Sequence, residues 1–216
     1  MKNLNYIACH EMTEFDLIKD STRQPTLETL QALRPAVDRD YKQYLNSFAT
    51  VQHLGDLGYS AAEETALGHC FSSATKAKSD LIARILKFQS NTFQHICPYC
   101  QFFTFSSIAH YIPKTEYPSL CVLPKNLLPC CATCNSVKND FWRENGQRAF
   151  LHFYLDTLPN VSFLQGNLTW VGIIPTIQFQ LVQNAGISNS LFALVTSHFK
   201  FLGLISLYEI GVPRVI

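Results

Sequence analysis

The sequence predicts an α+β fold that is mainly helical, with a small cysteine-rich centre between two more regular flanks. Three observations predict it. Apolar side chains recur at helical spacing before residue 90 and again after residue 188. A short stretch near residue 178 alternates apolar and polar. Between about residues 95 and 145 that periodicity fades while Cys, Pro, Asn and Lys concentrate, the pattern of a small domain held by metal rather than by a large apolar core.

Each element follows in order. Residues 1–25 are polar and mixed and read as a loosely held arm. Residues 26–90 read as a helical support: Tyr41, Tyr44, Leu45, Phe48, Val51 and Leu54 share one helical face, and Gly55 and Gly58 punctuate it. Leu81, Ile82, Ile85 and Leu86 make a second run, with Asp80 and Arg84 at i,i+4 spacing. Residues 147–158 read as helical. Residues 168–182 read as extended, since Ile177, Phe179 and Leu181 alternate with Gln178 and Gln180. Residues 189–208 read as an amphipathic helix carrying Leu191, Leu194, Val195, Phe199 and Leu202. His198 lies near its apolar face, where a lone histidine is more often packing than ligand. The divisions are a helical extension over 1–92, a core over 93–146 and a helix-and-strand extension over 147–216. The last stops on Gly-Val-Pro-Arg-Val-Ile, as a truncated or docked end would.

Bulk properties exclude several classes. The 216 residues suit one large domain or a small core with two flanking subdomains, and 47% hydrophobic residues argue against disorder. A formal net charge of +1 excludes nucleic-acid binding by bulk charge alone. There is no apolar stretch of membrane-spanning length and no secretory h-region near the start, so a cytoplasmic chain without membrane contact is expected. Thiols stay reduced there, and clustered cysteines are then metal ligands rather than disulfides.

Four cysteines form two Cys-x-x-Cys pairs, Cys97-Pro-Tyr-Cys100 and Cys131-Ala-Thr-Cys134. Two intervening residues let both sulfurs of a pair turn to one ion, and two pairs complete the tetrahedral shell of structural zinc. Cys130 adjoins Cys131 but lacks the spacing to Cys134. Cys9, Cys70 and Cys121 stand alone and read as ordinary buried thiols.

Between and after these pairs run Ile108-Ala109-His110-Tyr111-Ile112-Pro113-Lys114 and Asn126-Leu127-Leu128-Pro129-Cys130-Cys131-Ala132-Thr133-Cys134-Asn135-Ser136-Val137-Lys138. Over about 45 residues the order and spacing resemble the HNH endonuclease family, whose core is a zinc-stapled ββα-metal fold. The resemblance implies two strands, a loop and a helix that opens near Asn135. It implies hydrolysis of phosphodiester bonds in nucleic acid, with DNA the expected substrate. His110 would be the general base, a role suited to a group that titrates near neutrality. Asn126 would bridge backbone groups and hold the His110 loop. Asn135 would offer its amide oxygen to a hard divalent ion, Mg²⁺ or Mn²⁺, or would serve as an N-cap. Lys114 and Lys138 would contact phosphate. Between His95 and Phe150 five Lys/Arg stand against three acids, too slight an excess for tight independent DNA binding.

Ala109 departs from the pattern, because the family carries there an acid that shares the catalytic ion with the Asn135 position. Three explanations compete: an engineered Asp→Ala change that silences the site, natural loss of activity, or replacement by another carboxylate such as Glu116 or Asp140. The chain as written is therefore expected to be silent or crippled. The His-Tyr-Ile-Pro-Lys and Asn-Leu-Leu-Pro-Cys-Cys phrasing also resembles HNH subunits that act beside an ATPase partner in Septu-type or retron-linked antiphage defence. The alternative is a non-catalytic zinc-stapled module that binds nucleic acid or protein.

Overall fold

The computed structural model describes residues 1–89 and 95–211. The boundary expected at 92/93 and the terminal residues 212–216 lie outside them. The chain is mixed α and β. Helices α1 (Glu11–Asp20), α2 (Thr26–Asn46), α3 (Ala61–Ser72) and α4 (Lys76–Lys87) come first.

The start of the chain is not a loose arm. Met12, Phe15 and Ile18 recur every three residues and are buried on α1, a narrow stripe that the polar composition around it concealed. Burial of Phe15 and Ile18 stabilises by about 1.5–3 kcal/mol each. Ahead of α1, the Leu4 N–H donates to the Phe153 carbonyl at 2.8 Å. The stripe from Tyr41 to Leu54 is also carried differently. Helix α2 ends at Asn46, and a 3-10 helix over Phe48–His53, interrupted at Thr50, buries Val51. Tyr41, Tyr44 and Leu54 are buried too.

A capping box between Ser60 and Glu63 starts α3, and the Thr75 hydroxyl caps α4. Leu81 and Ile85 face the core. Asp80 pairs with Lys76 at 2.6 Å rather than with Arg84, which instead reaches Glu14 and ties α4 to α1.

The centre is a hairpin and a helix. Strand β1 (Ser107–His110) pairs antiparallel with β2 (Leu127–Cys130), in the register Ser107↔Cys130, Ala109↔Leu128 and His110↔Leu127. Helix α5 (Ala132–Lys138) follows at once. It is capped by Cys131, whose sulfur accepts from the Cys134 N–H, so Asn135 sits inside the helix rather than opening it. Next comes a tight hairpin, β3 (Arg143–Glu144) and β4 (Gln147–Arg148). Its turn residues Asn145 and Gly146 have φ of 50° and 71°, as a two-residue turn with positive φ at both positions requires.

Residues 149–158 are not helical beyond β4. Their polar groups go to tertiary partners: the Leu151 N–H to His198 Nδ1 at 3.3 Å, the His152 N–H to Asp156 at 2.7 Å, and the Asp156 carboxylate to Arg148. The apolar spacing of Phe150, Leu151 and Phe153 reflects burial along an irregular segment.

The extended stretch is a hairpin of β5 (Leu164–Val171) and β6 (Ile174–Leu181), longer than expected, which turns at Gly172 with φ 63°. Near its tip Trp170 is 65% and Ile173 93% exposed. The C-terminal helix is two helices, α6 (Asn189–Leu202) and α7 (Leu204–Gly211), bent by 63° at Gly203, which takes φ 62°. No single described helix is long and apolar enough to cross a membrane. The buried apolar side chains form one cluster from Leu4 to Leu204.

Candidate metal centre and cleft

The two cysteine pairs converge. Cys97 and Cys100 sit in the turn before β1, and Cys131 and Cys134 in the cap and first turn of α5. All four are buried, and their sulfurs lie within 4.8 Å of one another. The Cys100 and Cys131 sulfurs are 3.9 Å apart. A tetrahedral zinc with Zn–S bonds of about 2.3 Å places sulfurs about 3.8 Å apart, so the cluster fits that ion with little adjustment. Backbone N–H groups of Phe103 and Cys134 point at the Cys100 and Cys131 sulfurs, at 3.5 and 3.3 Å. Hydrogen bonds from Cys100 and neighbouring sulfurs hold Cys97 far below the usual thiol range, while Cys134, bonded to Cys100 and Cys97, is raised. Sulfurs this crowded disfavour ionising all four at once, and a divalent cation would let them do so.

Cys130 stays outside this group, although it reaches Cys97. Cys70 and Cys121 are buried thiols, and Cys9 is half-buried. His198 is no ligand. It is fully buried, its Nε2 donates to the Tyr99 carbonyl at 2.8 Å, and burial lowers it to about 4. Together with the bond from the Tyr208 hydroxyl to the Cys100 carbonyl at 2.7 Å, it ties the Cys97–Cys100 turn to α6 and α7.

A cleft of about 420 Å³ lies beside the staple, and His110, Lys114 and Asn135 meet in it with Phe71, Asn139 and Asp140. Larger hollows border α1 and α4, Arg148, and the turn before α2 beside His69, but none of these three brings a histidine together with a carboxylate and lies beside the staple. His110 Nε2 is 2.9 Å from the Cys121 carbonyl. A carbonyl only accepts, so Nε2 carries the proton and Nδ1 keeps the lone pair. Burial pushes His110 down to about 4. The Cys121 bond and Asp140 oppose that lowering, and Lys114 and Lys138 add to it. The ring is therefore neutral at pH 7, with the Nδ1 lone pair unprotonated.

Asn126 is buried behind the cleft rather than in it. Its Oδ1 accepts from the Ile112 N–H at 2.8 Å, and its Nδ2 donates to the carbonyls of Ile112 at 3.0 Å and Leu120 at 3.1 Å. It thereby closes the loop from 111 to 126 on itself. Ala109 is 1% exposed and does not line the cleft.

Lys138 does not reach solvent. It is buried, its Nζ donates to the Asn139 carbonyl at 3.4 Å and lies 5.8 Å from the centre of the Phe150 ring, and burial lowers it to about 8. The phosphate contact expected of it has no geometry here, because the α5 residue one turn after Asn135 faces the core. Of the two carboxylates considered as replacements at 109, Asp140 is in the cleft, where it accepts from the Thr115 hydroxyl at 3.0 Å. Glu116 is turned away, taken up by the Trp142 indole N–H at 2.7 Å and by Arg143. Asn135, Asn139, Asp140 and the hydroxyls of Ser107 and Ser136 put oxygen atoms on the cleft wall, and Asp140 is the carboxylate among them. Phe71 was not legible in advance, since nothing local marks a phenylalanine in α3 as a neighbour of His110.

The chain matches no known protein-family model, and neither the curated proteins nor the solved structures contain a match.

Proposed function

We propose that the chain is built on an HNH-type endonuclease core that hydrolyses phosphodiester bonds of nucleic acid, DNA in the first instance, and that Ala109 leaves this form silent or weak. The observation that carries the reading is the pairing of His110 and Asn135 across one cleft, directly beside a Cys₄ cluster. His110 has the properties of a general base: a neutral ring, an orientation fixed by the Cys121 carbonyl, and an Nδ1 left free to take a proton from water. Asn126 positions it, because the Leu120 carbonyl that Asn126 holds precedes Cys121. A divalent ion held by Asn135, with Asp140 as the nearby carboxylate, would neutralise charge on the phosphate and on the leaving oxygen. Lys114 supplies the cleft with a cation for the strand.

We extend the proposal to a protein partner that delivers the core to its substrate. The net charge of +1 is too small for independent tight binding, and the uncharged hairpin β5–β6 offers exposed Trp170 and Ile173 for docking. Ala109 is the observation that favours a non-catalytic zinc-stapled module instead.

One experiment separates the two. Ala109→Asp protein with zinc retained is assayed for plasmid cleavage with and without Mg²⁺ or Mn²⁺, beside an Ala109→Asp/His110→Ala form. Metal-dependent nicking that needs His110 is expected. A folded, zinc-loaded Ala109→Asp protein that cleaves neither alone nor with a partner would sink the nuclease reading.

A further inference from the structure

We propose that Phe71 and Lys78, from the N-terminal helices, join Lys114 as a phosphate-binding lip that grips the nucleic-acid strand beside His110. This rests on the reading of the cleft as a nucleic-acid site. Phe71, in the last turn of α3, lines the cleft, and its ring meets the His110 ring edge-on with centroids 4.3 Å apart. Two ammonium groups lie against that one ring: Lys114 Nζ at 5.2 Å and Lys78 Nζ at 5.5 Å from its centre. Lys78, in the first turn of α4, also donates to the Phe71 carbonyl at 2.8 Å, which holds it against the end of α3.

An aromatic face steadies a cation by only about 0.5–1 kcal/mol at exposed sites and leaves its charge unneutralised. Neither lysine has an ion pair among the described residues, whereas Lys76, two residues before Lys78, is paired with Asp80. Lys114 lines the same cleft as His110, and the Phe71 ring touches both, so an anion held there sits beside His110. Two steadied, unpaired cations on one ring, and that ring on the wall of a cleft that offers amide and carboxylate oxygens, suit a phosphodiester strand.

The test uses the full zinc-loaded chain, without added Mg²⁺ or Mn²⁺, and a fluorescein-labelled DNA oligonucleotide, single- and double-stranded, read by anisotropy over a salt series. Lys78→Gln and Lys114→Gln should each weaken binding by about three- to tenfold and lower the log–log salt slope by about one. Phe71→Leu should weaken it as well, with the melting curve of each variant checked against the parent. Lys87→Gln, at the far end of α4, should bind as the parent does. If the chain binds DNA and the Lys78 and Lys114 variants match it in affinity and slope, the lip is refuted while the nuclease reading stands. If the parent binds no DNA even at low salt, the lip is refuted, while the nuclease reading, which includes delivery by a partner, is decided by the Ala109→Asp cleavage assay.

Discussion

Replacing Asn126 by alanine should cost the fold about 2–6 kcal/mol and loosen His110, the proposed general base. The estimate follows from which groups lose their partners. Asn126 is fully buried and satisfies the Ile112 N–H, the Ile112 carbonyl and the Leu120 carbonyl. The Leu120 carbonyl keeps a second donor, the Leu123 N–H at 3.2 Å, so two backbone groups are orphaned. Each buried polar group left unmade costs about 1–3 kcal/mol. Against a total stability of about 5–15 kcal/mol, that is a large share. Asn126→Asp should be worse still: it keeps an acceptor for Ile112 but aims a charge at two carbonyl oxygens. Because Cys121 follows Leu120 and fixes His110, the ring should lose its single orientation, seen as broadening of its imidazole resonances. The assay is urea denaturation of zinc-loaded protein. A loss below about 1 kcal/mol with unchanged m-value, and unaltered His110 signals, would refute the positioning role.

Other outcomes follow from the same geometry. The chain should purify with one zinc, and a chelator or Cys131→Ser should lower Tm and release α5, since Cys131 both joins the sulfur cluster and caps that helix; a metal-free protein with an unmoved Tm would count against the staple. Acid should destabilise the fold through His152 and His198, which burial lowers to about 3 and about 4. The folded state binds fewer protons than the unfolded one between those values and about 6.5, so stability present above pH 6.5 is lost as pH falls toward 4, on the order of 3 kcal/mol per histidine. Comparison with His198→Gln, which keeps a donor and an acceptor, isolates that contribution from acid release of zinc; parallel pH curves would contradict it.

What was legible in the sequence is what is local. Each Cys-x-x-Cys spacing turns its own two sulfurs to one side, and the motif order around them marks the hairpin and helix, although the two pairs then meet across 31 positions of chain. The alternation near residue 178 likewise marked a strand, because period-two burial is written residue by residue. The failures share a physical cause. Residues 149–158 have helix-like apolar spacing, but His198 and Asp156, one of them 47 positions away from its partner Leu151, take the backbone donors that a helix would have used. Lys138 is a surface lysine by type and a buried one by packing against Phe150. Phe71 comes to His110 across 39 positions of chain, through the docking of α3 beside the loop that carries Cys121, whose thiol donates to the Leu67 carbonyl at 3.1 Å. Contacts of that kind leave no trace in spacing.

The proposed divalent ion has two candidate carboxylate positions, 109 and 140, and stability distinguishes them without cleavage. Ala109 is 1% exposed and pairs across the hairpin with buried Leu128. An aspartate there carries a charge out of water, a burden that only a cation or several donors can offset. Ala109→Asp should therefore lower Tm in the absence of divalent metal, by about 2–4 °C for each kcal/mol in a chain of this length. Added Mn²⁺ should restore it, since a ligand at one hundred times its Kd adds about 2.7 kcal/mol to the folded state. The parent, with Asp140 as the one carboxylate among the cleft-lining residues, should respond weakly, and Asp140→Asn should remove that response. Recovery confined to Ala109→Asp makes position 109 the ion's seat and the present chain a silenced nuclease. A parent response that Asp140→Asn abolishes, with no recovery in Ala109→Asp, gives the ion to Asp140 instead. Silence from all three proteins removes the divalent ion, and the nuclease reading with it.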